Sequence, residues 1–96
     1  MAKGYLIATI TITNEAAYQH YIKAATKAIK EAECRVLVRG GRVAVKEGKE
    51  SWNRVVILEF DSYEQALNYY DSAAYQNAKA LRAGAAIADF VIAEGG

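Results

Sequence analysis

One apolar run near the middle of the chain limits the possible folds more than any other feature. Its sequence, Val-Val-Ile-Leu-Glu-Phe, is typical of a β-strand because β-branched and aromatic residues dominate it. In an extended strand, Val56, Leu58 and Phe60 project to one side. On the other side, Val55 and Ile57 are just as apolar. A strand that is apolar on both sides is expected to be buried on both sides, so the fold must cover both faces of its sheet.

Around this run, four strand-like segments and two helical segments follow one another in the order β-α-β-β-α-β. The strands are rich in Val, Ile and Thr, whereas apolar residues recur at helical spacing in the other segments. The predicted strands are 5–12, 35–39 with a continuation at 42–45, 55–60 and 87–92, and the predicted helices are 14–32 and 62–82. This order predicts a ferredoxin-like α+β fold, in which a four-stranded antiparallel sheet of order 4-1-3-2 carries both helices on one face.

Polar residues mark the expected helix starts. Asn14 is the predicted N-cap of the first helix, because its side-chain oxygen can accept a hydrogen bond from the first turn. The second helix has two candidate capping boxes, Asp61 with Glu64 and Ser62 with Gln65. Both possibilities fit the sequence equally well.

Several small residues mark breaks and turns. Ser72 is predicted to cap a bent continuation of the second helix, and Gly84 suits its C-terminal end. The pair Gly40-Gly41 predicts a turn or bulge after the second strand, and residues 47–50 predict an exposed turn.

The chain is expected to form one domain. It has 96 residues and contains no proline and no Ser/Gly-rich linker, so a single domain spanning 1–96 is predicted.

The two predicted helices can cover only one face of the sheet. We therefore expect a homodimer that packs sheet against sheet, which would bury the second apolar face.

Composition excludes several classes of function. The net charge is +1, which gives no basis for nucleic-acid or membrane binding, and no run is long enough to span a membrane. Because the third strand lacks stacking aromatics, an RNA-recognition sheet is not expected. Cys34 is the only cysteine and His20 the only histidine, so neither a disulfide nor a multi-residue metal site is expected. A cytoplasmic location without a metal or organic cofactor is therefore predicted.

Several separated motifs resemble a bacterial family, the domain-of-unknown-function 1330 family. They are Lys3-Gly4-Tyr5, Arg39-Gly40-Gly41, residues 55–63 and 71–76, Leu81-Arg82 and Glu94-Gly95. This family belongs to the dimeric α/β-barrel superfamily, so the resemblance implies a ferredoxin-like fold and a dimer whose two sheets enclose a barrel. It implies no settled activity. Glu33-Cys34 departs from the glycines expected before the second strand, which puts the local turn in question.

Three arginines and one tryptophan are expected to gather at one end of the sheet, near the start of the first helix and Asp89. These candidate ligand-binding residues are Arg39, Trp52, Arg54 and Arg82. Guanidinium groups beside a helix N-terminus suit a carboxylate or another small anion. The structural alternative places Arg54 and Arg82 on the surface and pairs Arg39 with Asp89 or with a dimer partner.

Two carboxylates and two tyrosines complete the candidates. Glu59 and Asp89 are expected to point away from the helices, and either could move a proton while Arg39 and Arg82 hold an anionic group. The two carboxylates cannot form a dyad, because about 15 Å separates them in this topology. Tyr70 and Tyr75 are candidate ligand contacts, although their helical spacing also suits the core.

Two classes of function fit these residues. The first is a small dimer that binds a small organic molecule, with an acid as the leading candidate, and that could transform it without a cofactor. The second is a non-catalytic dimerisation or ligand-sensing module whose lumen is packed with side chains. An open pocket with convergent polar groups would favour the first class over the second.

Overall fold

The computed structural model describes residues 2–48 and 52–96. The elements are β1 (Gly4–Ile12), α1 (Glu15–Ala32), β2 (Arg35–Arg39), β3 (Arg54–Phe60), α2 (Tyr63–Asp71), α3 (Ala73–Ala80) and β4 (Ala86–Glu94). The strands form one antiparallel sheet in the order β2-β3-β1-β4. The predicted ferredoxin-like α+β fold and its strand order are therefore confirmed.

The core lies between one face of the sheet and the helices. Alternate residues of β1 are almost fully buried, because an extended chain turns every second side chain toward the helices. They meet Leu58 and Phe60 of β3 and the aromatic and alanine residues of the helices. The largest fully buried side chains are Tyr18, Tyr75, Leu6, Ile10 and Leu58.

The predicted helix caps form. The Asn14 side chain accepts a hydrogen bond from the backbone N–H of Ala17, at 3.1 Å. At the start of α2, the pair Ser62 and Gln65 is the one that operates. The Ser62 hydroxyl accepts from the N–H of Gln65, and the Gln65 side chain accepts from the N–H of Asp61.

Ser72 divides the predicted second helix into α2 and α3. Its hydroxyl donates to the carbonyl of Tyr69 at the end of α2 and accepts from the N–H of Tyr75 at the start of α3. One side chain thus caps the C-terminal end of α2 and the N-terminal end of α3. The chain then turns through residues 81–85, where Gly84 has a φ of 78°.

The second strand differs from the prediction. Its irregularity is a β-bulge between Val36 and Val38, not at the glycines, although Gly40 does adopt the predicted positive φ of 75°. Residues 42–45, predicted to continue the strand, are outside any strand. Once the chain has turned away at Gly40, this segment has no neighbouring strand to pair with. The predicted turn at 47–50 lies partly outside the described residues.

The turn between α1 and β2 forms without a glycine. Glu33 follows α1 with φ 56° and ψ 33°, the left-handed conformation that glycine usually supplies at a helix end. Its backbone N–H donates to the carbonyl of Lys30, at 3.3 Å. The helix therefore ends in a left-handed turn with a strained non-glycine residue at this position.

The other face of the sheet carries no helix. Ile57 pairs with Ile7 and with Val38, and Ile7 pairs with Val91, so a row of apolar side chains crosses all four strands. Val91 is 55% exposed and Ile87, on the same face, is 72% exposed. The sheet of one chain is open, with edge strands β2 and β4, and does not close into a barrel.

Candidate functional site

The bulge in β2 determines which way Arg39 points. Arg35 pairs with Glu59, so regular alternation would place Arg39 on the open face with it. The extra residue instead sets Arg39 opposite Val56, on the face covered by the helices. There the Arg39 guanidinium donates to the hydroxyl of Thr26 on α1.

Two more arginines reach the same region from other segments. Arg54 begins β3 opposite Ile10, and its guanidinium carbon lies 5.9 Å from the centre of the Tyr18 ring. Arg82 lies in the turn after α3. Its guanidinium carbon is 4.5 Å from the centre of the Phe90 ring and 5.4 Å from that of Tyr21. Aromatic faces attract such cations and hold them in place.

Arg39 and Arg54 line a small cavity of about 20 Å³ between sheet and helices. It is lined by Ala8, Ile10, Tyr18, Tyr21, Ile22, Ala25, Ile29, Arg39, Arg54, Val56 and Phe90. Arg82 packs against two of the rings in its wall. We call this group of Arg39, Arg54, Arg82 and Tyr18 the arginine site.

The arginine site is rich in polar atoms that have no partner. The Tyr18 hydroxyl, Nε of Arg54 and Nη1 of Arg82 are all buried without a well-formed hydrogen bond, although the Arg54 side chain lies close enough to the Tyr18 hydroxyl to lower its pKa. No carboxylate within residues 2–48 and 52–96 forms an ion pair with the three arginines. The three arginines are half-buried, and shielding part of a cation from water without a counter-charge is unfavourable, so the site is suited to receive an anion.

Tyr18 contributes a neutral hydrogen-bond donor. Burial raises the pKa of its phenol, and the nearby Tyr21 raises that pKa further, while Arg54 and Arg82 act in the opposite direction. The pKa stays above its ordinary value, so the hydroxyl is protonated at neutral pH. The sequence pattern assigns Tyr18 to the apolar stripe of α1, which explains its burial but gives no sign of its free hydroxyl.

The predicted aromatic contacts mostly belong to the core. Tyr75 is buried, and its hydroxyl lies 3.0 Å from that of Tyr21. Tyr70 is half-buried, with its ring 5.1 Å from that of Tyr75 and 6.0 Å from that of Phe90. Trp52 is half-buried at the start of the segment that leads into β3. None of these three residues lines the cavity of the arginine site.

The two predicted acid–base residues lie away from the arginine site. Asp89 pairs with Thr9, which places it at the same end of the sheet as the arginines but on the open face. Glu59 lies on the open face at the other end, where it accepts hydrogen bonds from Arg35 and from the Tyr5 hydroxyl. The register separates the two carboxylates by about 16 Å, in agreement with the prediction.

Glu59 is part of a small ionic network. Arg35 also bonds to Asp61 at 3.0 Å, and Lys3 lies 3.6 Å from the same carboxylate. Hydrogen bonds from Arg35 and then from Tyr5 lower the pKa of Glu59. Arg35 likewise lowers the pKa of Asp61. Both carboxylates are therefore held in the charged form.

A larger open cleft of about 470 Å³ lies at the opposite end, between the end of α1 and α2. Three of its polar side chains, Arg35, Gln65 and Ser72, already have hydrogen-bond partners. Burial raises the pKa of the Cys34 thiol in its wall, which disfavours the nucleophilic thiolate. The cleft is wide and open, and it lacks the cluster of guanidinium groups that the arginine site has.

No group of three or more His, Cys, Asp or Glu side chains in the described part of the chain is arranged to hold a metal ion. None of its helices has the length and apolar character needed to cross a membrane.

Fold and site together define a small ferredoxin-like α+β protein with an arginine-rich cavity between sheet and helices. The family model described as "Domain of unknown function (DUF1330)" matches residues 3–96, and the chain belongs to this family. None of the curated proteins matches the sequence significantly.

Solved structures share the fold at low sequence identity. A protein of unknown function from Rhodopseudomonas palustris aligns with a TM-score of 0.76 and 15% identity, covering 96% of this chain and 81% of that one. A dimeric ferredoxin-like protein of unknown function from Thermobifida fusca aligns with a TM-score of 0.63 and 15% identity, covering 97% and 89%. SnoaB, a cofactor-independent oxygenase from Streptomyces nogalater, aligns with a TM-score of 0.65 and 5% identity, covering 97% and 92%.

Proposed function

We propose that this protein binds a small anionic organic molecule at the arginine site. The observation that carries the proposal is the meeting of three guanidinium groups, from β2, β3 and the turn before β4, with no carboxylate partner among the described residues. An anion placed there would provide the missing counter-charge. The fold is shared with a cofactor-independent oxygenase, which is consistent with a small-molecule role.

The proposal is limited to binding. In the enzymatic version of the hypothesis, Asp89 or Glu59 would move a proton while the arginines hold the substrate. Within one chain, however, both carboxylates project from the open face, and Glu59 is engaged by Arg35 and Tyr5. We therefore assign no proton-transfer role to either carboxylate.

Thermal unfolding in the presence of small organic acids tests this binding. At low ionic strength, we expect the acids to raise the Tm of the wild-type protein and their uncharged amides to leave it unchanged. Arg54→Gln should abolish the increase. Arg42→Gln is the matched control, because Arg42 is exposed in the loop after β2 and does not line the cavity. Equal effects of acids and amides, or an unaltered response in Arg54→Gln, would contradict the proposal.

We also propose that two copies associate through their open sheet faces. An apolar row that includes Ile7, Ile57 and Val91 crosses this face, and exposed apolar surface of this kind favours association. A sheet-to-sheet pair is isologous, since each copy presents the same surface to the other. The Thermobifida fusca protein of similar fold is described as dimeric.

Light scattering coupled to size exclusion tests the dimer. Val91→Glu should convert the dimer to a monomer, because it places a carboxylate in the apolar face at a position that one chain leaves 55% exposed. Leu81→Glu is the matched control, since Leu81 is 48% exposed in the turn after α3, outside this row. A wild-type protein that elutes as a monomer at micromolar concentration would refute the proposal.

A further inference from the structure

The buried polar atoms of the arginine site that lack a partner can all donate a hydrogen bond. Buried side-chain nitrogen and oxygen atoms nearly always have a hydrogen-bond partner in folded proteins. Within the described ranges, the exceptions are three atoms, and all three belong to this one site: the Tyr18 hydroxyl, Nε of Arg54 and Nη1 of Arg82. Two of the three residues, Tyr18 and Arg54, line the same cavity, which indicates one group that both would contact.

The missing group must accept hydrogen bonds. A guanidinium nitrogen can only donate, and the Tyr18 hydroxyl is a protonated donor as well. The third arginine of the site, Arg39, already donates to Thr26. Tyr18 and Arg54 line the cavity and Arg82 packs against the Tyr21 and Phe90 rings of its wall, so a single negative group with several lone pairs suits this set of donors best.

The size of the cavity limits the shape of that group. Its volume of about 20 Å³ is close to the space of one water molecule, so the occupant must be small or must move the walls slightly. Arg54 has little room to withdraw on one side, because a methyl group added at Gly40 would overlap its Nη1. A flat group with two oxygens needs less displacement than a tetrahedral group with three or four.

The other side chains that line the cavity indicate the polarity of the rest of the ligand. Apart from its arginines and tyrosines, the cavity is lined by alkyl side chains and the ring of Phe90. A second charged group on the ligand would have to be buried against this apolar surface at a large cost. The rest of the molecule should therefore be a short alkyl group.

We propose that Tyr18, Arg54 and Arg82 form a receptor for one carboxylate group, and that the ligand of this protein is a small monocarboxylic acid. This inference rests on the proposed anion binding and adds the ligand class and a specificity-determining residue, Tyr18. The phenol and the two guanidiniums would together contact both carboxylate oxygens.

Nuclear magnetic resonance of protein with ¹⁵N-labelled arginine tests this inference. The Nε–H resonances of Arg54 and Arg82 are followed while formate, acetate or propionate is added, with sulfate and inorganic phosphate as the competing anions. We expect both resonances to move with the monocarboxylates at concentrations at which sulfate and phosphate have no effect. Tyr18→Phe should weaken monocarboxylate binding by about tenfold or more, because a hydrogen bond to a charged group is lost.

Tyr69→Phe is the matched control. It removes the hydroxyl of a buried tyrosine in the same aromatic cluster, but Tyr69 lines the cleft at the opposite end and not the cavity of the arginine site. Monocarboxylate binding should be unchanged in this variant.

The possible negative results distinguish failure of the carboxylate receptor from failure of anion binding in general. If sulfate or phosphate binds as well as the monocarboxylates, or if Tyr18→Phe binds them as well as wild type, the carboxylate receptor is wrong while anion binding stands. If no anion moves either resonance, the cavity holds water instead, and both proposals are overturned. The comparison of anions uses the wild-type protein alone, so it remains decisive even if Tyr18→Phe does not fold.

Discussion

The hydroxyl groups of Tyr21 on α1 and Tyr75 on α3 lie 3.0 Å apart in the core, where each is the hydrogen-bond partner of the other. Their rings meet edge to face, with centres 6.4 Å apart. Burial raises the pKa of both phenols, so both stay protonated at neutral pH. This contact joins two helices that are far apart in the sequence.

Removing either hydroxyl of this pair should destabilise the fold. Tyr75→Phe leaves the Tyr21 hydroxyl buried without its partner, which we expect to cost about 1–2 kcal/mol in the free energy of unfolding. The double variant Tyr21→Phe/Tyr75→Phe should lose less than the sum of the two single losses, since no hydroxyl is then stranded. Urea denaturation of the four proteins measures the coupling. Strictly additive losses would mean that the two hydroxyls do not interact.

Replacing Glu33 by glycine should stabilise the protein. Glu33 is held in the left-handed conformation at the end of α1, where a residue with a Cβ is strained by about 1 kcal/mol or more. Glu33→Gly relieves this strain, and we expect a gain of about 0.5–1 kcal/mol in urea denaturation. Glu31→Gly, inside the same helix, is the control and should lose about 1 kcal/mol. A loss of stability in Glu33→Gly would show that its strain is not relieved in this way.

Replacing each of the two adjacent glycines after β2 by alanine should change the stability of the protein by different amounts. Gly40 has a φ of 75°, and an added methyl group would overlap Nη1 of Arg54. Gly40→Ala should therefore lose about 1–2 kcal/mol of stability and displace the Arg54 side chain. Gly41→Ala should be nearly neutral, because nothing lies within 4 Å of the added atom. Thermal melts of the pair check both expectations, and equal losses would contradict them.

The ionic network around Glu59 should make stability depend on acidity. Arg35 lowers the pKa of Glu59 and of Asp61 below their ordinary values of 4.5 and 3.8. A carboxyl group whose pKa is lowered by folding stabilises the fold fully above its unfolded pKa. That stabilisation is lost as the pH falls through the lower, folded pKa. We therefore expect the free energy of unfolding to decline below about pH 4.5 in the wild-type protein.

Two variants identify the source of this decline. Glu59→Gln should show a shallower decline between pH 5 and pH 3, because one of the two shifted groups is absent. Glu64→Gln is the control, since Glu64 is an exposed residue in the first turn of α2 and forms no ion pair with a described residue. Parallel curves for wild type and Glu59→Gln would show that the network does not contribute.

The fold was predictable from the sequence because its signals are local. The apolar strands and the helical spacing of apolar residues identify the elements and their order, and Asn14 and Ser72 cap helices as their positions predict. The bulge in β2 was not predictable. All five residues of this edge strand are exposed or half-buried, so no residue in it has to be buried and the sequence does not mark where the extra residue lies.

The candidate site was predictable only in part. The sequence predicts that Arg39, Arg54 and Arg82 gather at one end of the sheet, and the structure brings them together around one group of rings. The role of Tyr18 could not be predicted. Its burial follows from helical periodicity, but the missing partner of its hydroxyl depends on side chains from β3 and from the turn before β4.

The extra residue in β2 couples the two surfaces of the sheet. Shortening this strand by one position, for example by deleting Leu37, would restore strict alternation and move the Arg39 guanidinium from the inner to the outer surface. The inner cavity would lose a cation, and the outer apolar surface would gain one in the same step. A one-residue change in strand length would therefore alter the proposed ligand binding and the proposed self-association together.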